Sequence, residues 1–75
     1  MQVLFFGALA ESAGKSEIQM DKVKDVDHLK SHLLSRYPKL QNHTFRIAVN
    51  KKVESVNVPL HENDVVAFLP PFSGG

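Results

Sequence analysis

The run Pro70-Pro71-Phe72-Ser73-Gly74-Gly75 has the residue types most suited to chemistry in this sequence. Proline fixes φ near about −65° and offers no N–H donor, so two in succession end a strand and carry the chain away as a stiff, extended stalk. Phe72 is an apolar anchor on that stalk. Gly74 and Gly75 have no side chains to obstruct a narrow passage. At about 3.3 Å per residue the segment reaches on the order of 20 Å. Such a stalk can thread a channel in a partner and present the Gly75 carboxylate at its floor. A flexible glycine-ended tail is the plainer reading of Gly-Gly alone, but a flexible tail needs neither Pro-Pro nor Phe.

Other reactive residue types are present without a reactive arrangement. His28 and His32 stand four apart, a spacing that can place two imidazoles on a metal. No Glu follows His28 in an HExxH pattern and no third ligand is evident, so solvated helix positions are expected. His43 and His61 fall in expected loops. Ser12, Ser16 and Ser73 have no neighbouring His/Asp pattern that would make a nucleophile. Gly7 and Gly14 belong to no phosphate-cradling motif and read as turn residues. Lys51 and Lys52 suit either an acidic partner surface or a solvated turn that discourages edge pairing. The sequence has no cysteine, which excludes a disulfide framework, a thiolate metal site and a cysteine nucleophile. It also leaves no side-chain thiol to carry activated sulfur.

Composition narrows the partners. The 75 residues include nine Lys+Arg against eight Asp+Glu, for a net charge of +1, and 43% are hydrophobic. That is one small globular domain without the basic excess of a nucleic-acid binder. No apolar run nears the ~18 residues of a membrane span. Met1-Gln2-Val3-Leu4-Phe5-Phe6 lacks the charged region and cleavage site of a signal peptide, so a cytoplasmic setting is expected.

The elements that must position the tail follow from periodicity. Gln2 to Phe6 reads as a strand halted at Gly7. Ala8 to Ala13 favours a short helical turn stopped by Gly14. Lys15 to Met20 alternates as a half-buried strand. Asp25 is a suitable N-cap, and Val26, Leu29, Leu33 and Tyr37 form one apolar helical stripe, which Pro38 ends. Lys39 to His43 reads as a polar connection. Phe45 to Val49 alternates as a third strand, Asn50-Lys51-Lys52 as a turn, and Val53, Val56 and Val58 as a short irregular fourth strand. Pro59 to Asp64 is a turn, and Val65 to Leu69 is β-branched and uninterrupted, as a central strand should be. The fold class expected is α+β. A mixed sheet has its first and last strands parallel at the centre and one main helix across one face, the ubiquitin-like β-grasp. Residues 1–69 form the domain and 70–75 the extended tail. With Val3, Phe5, Val66 and Phe68 facing the helix, Leu4, Phe6, Val65, Ala67 and Leu69 point outward. Val53 extends this apolar face.

The segment Val66-Ala67-Phe68-Leu69-Pro70-Pro71-Phe72-Ser73-Gly74-Gly75 resembles the C-terminal signature of the molybdopterin synthase small subunits (MoaD). These sit within the MoaD/ThiS family of ubiquitin-like sulfur carriers. Ala48-Val49-Asn50, Pro59-Leu60 and Asn63-Asp64 resemble that family's AVN…PL…GD pattern, and Val3 to Glu11 with Gly14 resembles its N-terminal block. Asn63 departs from the usual Gly but tolerates the same left-handed backbone, and Phe72 replaces a common Val. The resemblance implies a carrier that is no enzyme alone but the sulfur-donor subunit of a complex. It implies that an E1-like, MoeB-like activating enzyme adenylates Gly75 with ATP and Mg, and that sulfide displaces AMP to leave a thiocarboxylate. The tail then enters a MoaE-like large subunit, in a heterotetramer, and donates sulfur to a pterin precursor. The resemblance implies no permanently bound cofactor, no metal site, no nucleic acid and no membrane. The residues implied in partner contact are Phe6, Val53 and Leu69 together with the tail residues Pro70, Pro71, Phe72 and Ser73. A ThiS-type or tRNA-thiolation carrier, and a β-grasp interaction module without chemistry, are the alternatives.

Overall fold

The structure is a computed structural model that describes residues 1–71. In chain order it contains β1 (Gln2–Phe5), α1 (Ala8–Ala13), β2 (Glu17–Gln19), α2 (Val26–Arg36), a 3₁₀ helix (Pro38–Asn42), β3 (Arg46–Val49), β4 (Lys52–Glu54) and β5 (Val65–Leu69). The strands form one sheet in the order β2-β1-β5-β3-β4. β1 and β5 run parallel at its centre, with Val3 opposite Val66 and Phe5 opposite Phe68, and the other pairings are antiparallel. This is the β-grasp expected from the order of elements.

Each terminus of the main helix has a local cause. The Asp25 carboxylate accepts the His28 N–H at 2.9 Å, and Pro38 follows the C-cap at Tyr37. That carboxylate also lies 2.7 Å from His28 Nδ1. The His28 backbone N–H, then its ring and Asn57, hold the Asp25 pKa down to about 2. α1 ends at Gly14, whose φ of 75° suits a residue without a side chain. The β3–β4 hairpin turns through Asn50 and Lys51, at φ 50° and 72°. Positive φ at both central residues is the turn whose twist matches the flanking strands.

The core lies between the sheet and α2. Val3, Phe5, Leu9, Leu29, Leu33, Leu40, Leu60, Val66 and Phe68 are each at most 2% exposed. Two of these correct the sequence reading. Lys39 to His43 is not a merely polar connection: the 3₁₀ helix carries Leu40 inward, fully buried. Leu60, in the expected turn, is also inside, its N–H bonded to the Lys24 carbonyl at 3.1 Å. The fourth strand is shorter than expected. After Glu54 the chain leaves the sheet, Val56 stands exposed, and the Val58 carbonyl accepts the Val26 N–H at the start of α2. Ala48, on the face of β3 opposite Ile47, is buried at 5% beside Ala67 and Val53.

Candidate functional site

The sheet face away from α2 carries an apolar band that ends at the root of the tail. Strand register lines up Leu4, Ala67, Ala48 and Val53 across it. One row nearer the tail, Leu69 stands opposite Arg46. Phe6 follows β1 there, and its N–H donates to the Phe68 carbonyl at 3.1 Å. Phe6, Arg46, Val53, Leu69, Pro70 and Pro71 line one open groove. Phe6 is 45% and Val53 46% exposed, whereas their inward neighbours Phe5 and Ile47 are 2% and 5% exposed. The expected division into helix-facing and outward residues therefore holds on β1 and β5. Phe6 and Val53 are thus large apolar side chains open to water beside the root of the tail.

Gly7 fixes where the tail leaves the sheet. Its backbone, at φ 57° and ψ −134°, is one that residues with a Cβ rarely adopt. A Cβ built there would lie 3.2 Å from Pro70 Cγ. From sequence alone this glycine implies only a turn. The turn also clears the space that Pro70 fills, seating the stalk beside Phe6. Gly7→Ala should destabilise the fold by about 1–3 kcal/mol. Urea unfolding measures the loss. An unchanged midpoint would show that neither the strain nor the contact matters.

Asn50 and Asp64 hold the opposite end of β5. Asn50 Nδ2 donates to Asp64 Oδ1 at 2.8 Å, and Asn50 Oδ1 accepts the Val65 N–H at 3.0 Å. Asp64 Oδ2 accepts the His61 N–H at 2.8 Å, and its carbonyl accepts the Gln2 N–H at 3.1 Å. These bonds tie the hairpin turn to the starts of β1 and β5, so both residues serve the fold. Asn63, beside them, is not among the residues of positive φ. The left-handed tolerance expected of it goes unused.

The Asn50 side chain, then the His61 N–H, lowers the Asp64 pKa below its ordinary value. A carboxylate whose folded-state pKa is depressed stabilises the protein above its unfolded pKa of about 3.9 and loses that contribution as pH falls through the folded value. Asp64 and Asp25 both act in this sense. Stability should therefore drop between about pH 4 and pH 2. Asp64→Ala should cost about 1–3 kcal/mol at neutral pH, with the gap to the parent closing in acid. Denaturant titrations across that range test it, and a pH-independent gap would contradict it.

The remaining candidates lie apart from the groove. His28 serves the cap of α2, and among the described residues no group of three His, Cys, Asp or Glu is placed to hold a metal ion. Ser12 Oγ and His43 Nε2 are 2.7 Å apart, a contact between residues 31 positions apart that no sequence pattern signals. Lys51 and Lys52 are exposed at the hairpin turn. Among the described residues no helix is long and apolar enough to cross a membrane. Phe72, Ser73, Gly74 and Gly75, named from the sequence, lie outside the described residues.

A sheet with β1 and β5 parallel at its centre and α2 across one face places the chain in the class of ubiquitin-like β-grasp proteins. Within it, the chain belongs to the ThiS family, whose sequence model matches residues 3–75. It is 34% identical to the molybdopterin synthase sulfur carrier subunit of Mycobacterium tuberculosis, over the whole of this chain and 96% of that one. Among solved structures it resembles the complex of subunits 1 and 2 of the molybdopterin-converting factor from Helicobacter pylori. There the TM-score is 0.72 at 28% identity, covering 99% of this chain and 96% of that one. Small archaeal modifier protein 1 of Methanosarcina acetivorans shares the fold at a TM-score of 0.82 and 24% identity, over 99% of this chain and 94% of that one.

Proposed function

We propose that this protein is the sulfur-carrier subunit of a molybdopterin synthase, working in the cytoplasm. The observation that carries the reading is the convergence of the apolar groove and the Pro70-Pro71 root just ahead of Gly74-Gly75. Family membership and full-length similarity to a named sulfur carrier subunit support it. A carboxylate must be activated before sulfur can replace its oxygen, because oxide is a poor leaving group. An E1-like, MoeB-like enzyme supplies that step: the Gly75 carboxylate attacks ATP, assisted by Mg, releasing pyrophosphate and leaving an acyl adenylate. A sulfur donor then displaces AMP, and Gly75 holds a thiocarboxylate. A MoaE-like large subunit receives the tail in a heterotetramer, where the sulfur attacks a pterin precursor on the way to the dithiolene. Phe6, Val53, Leu69, Pro70, Pro71, Phe72 and Ser73 make the partner contacts, and Gly74 and Gly75 enter the partner's channel. The described residues near the tail root include no general base, so proton transfers fall to the partners.

Intact-mass analysis of protein purified from its own cells tests the carrier chemistry. The expected result is a second species, heavier by the difference between sulfur and oxygen and trapped by alkylation. Dithiolene formation with the cognate large subunit then separates this carrier from a ThiS-type or tRNA-thiolation carrier. Absence of the heavier species under conditions that support molybdoenzyme activity would leave a β-grasp module without chemistry.

A further inference from the structure

The groove at the tail root holds one cation among apolar side chains. Arg46 is exposed, stands opposite Leu69 across β3 and β5, and shares the groove with Phe6, Val53, Leu69, Pro70 and Pro71. Among the described residues no carboxylate lies within ion-pair distance of it: the ion pair found there joins Asp25 to His28. Glu54, the acidic residue of the adjacent edge strand, stands opposite Ile47 and so points to the helix side of the sheet. In the free protein water solvates the Arg46 guanidinium.

A partner that fills this groove displaces that water. A purely apolar plug would leave a desolvated guanidinium without a partner, a costly arrangement. A carboxylate answers the planar donor fork with two parallel hydrogen bonds and offsets the loss. We propose that the large-subunit segment seated on this groove presents an Asp or Glu side chain to Arg46, and that this pair sets partner choice. The apolar contacts supply area that many hydrophobic segments could match, while the unpaired charge penalises any segment lacking the carboxylate. The inference rests on the carrier reading above, which supplies the large subunit as occupant.

Calorimetric titration of the full chain against its cognate large subunit, at low and high salt, tests the pair. Arg46→Glu should weaken binding by at least about a hundredfold, and Arg46→Met, which keeps the apolar stem, by about thirtyfold. Arg46→Met should also flatten the salt dependence, and Arg46→Lys should fall between it and the parent. One Asp or Glu of the large subunit, changed to Arg, should restore binding to Arg46→Glu. Circular dichroism confirms that each variant is folded, and Phe6→Asp serves as the control for the groove itself. If Phe6→Asp loses binding while Arg46→Met and Arg46→Glu keep the parent's affinity and salt slope, the carboxylate inference is overturned and the carrier reading stands. If Phe6→Asp also binds like the parent, the groove is not the docking surface and both the inference and its occupant fall.

Discussion

A protein lacking Gly75 forms no acyl adenylate and no thiocarboxylate, and dithiolene product falls to background. Under the carrier reading the acyl carbon activated by ATP is that of Gly75; its deletion exposes the Gly74 carboxylate instead, which ends about 3.3 Å short of the reacting position, and the sequence has no cysteine to take over sulfur transport. Exposed Asp and Glu carboxylates sit on the folded domain, where a narrow channel cannot receive them. Gly74→Val tests the channel separately. The branched side chain sits beyond the described domain and should leave the unfolding midpoint unchanged. Displacing the reacting end by about 1 Å is enough to slow transfer on the order of a hundredfold. Mass analysis reads activation and single-turnover product formation reads transfer. A Gly75-deleted protein that still acquired sulfur and supported product would sink the carrier mechanism.

The parts of this arrangement legible in the sequence are those encoded by repeating local patterns. The two-residue period sorts Val3 and Phe5, with Val66 and Phe68, onto one face of apolar strands, and the structure puts that face against the helix, with all four at most 2% exposed. The 3-4-4 stripe of Val26, Leu29, Leu33 and Tyr37, between an Asp cap and a Pro stop, marked α2 to within a residue. Single residues whose role comes from a distant segment were not legible. Leu40 and Leu60 are lone apolar residues in polar stretches, and only the folded chain shows each filling the core. Val56 carries the same β-branched signal as Val58, yet it is 68% exposed while Val58 packs on the core. Gly7 looked like any strand-ending glycine because its neighbour, Pro70, lies 63 positions away. Arg46 looked like an ordinary outward residue of an alternating strand. Only the register of β3 against β5 sets it beside Leu69 in the groove.

Replacing Phe6 with Asp should weaken binding to the large subunit and to the activating enzyme alike, each by about thirtyfold or more, the loss typical of a central aromatic contact. Phe6 is 45% exposed and lies outside the buried core, so its own stability effect should stay within about 0.5 kcal/mol. Leu69→Asp should act in the same direction. It is half-buried on β5, so its folding must be checked first. The reason to expect one lesion to strike both partners is geometric. Under the carrier reading both receive the same tail, the chain leaves the sheet at Pro70, and Gly7 admits Pro70 beside Phe6. A partner that holds the tail therefore covers the groove at its root. Two partners using that groove cannot bind together, which suits a carrier that must leave the enzyme that charges it before it reaches the one that spends the sulfur. Competition makes the test sharp: excess large subunit should displace the activating enzyme from the parent protein. A stable ternary complex, or a folded Phe6→Asp protein with undiminished affinity for both, would separate the two surfaces and leave the tail as their only shared element.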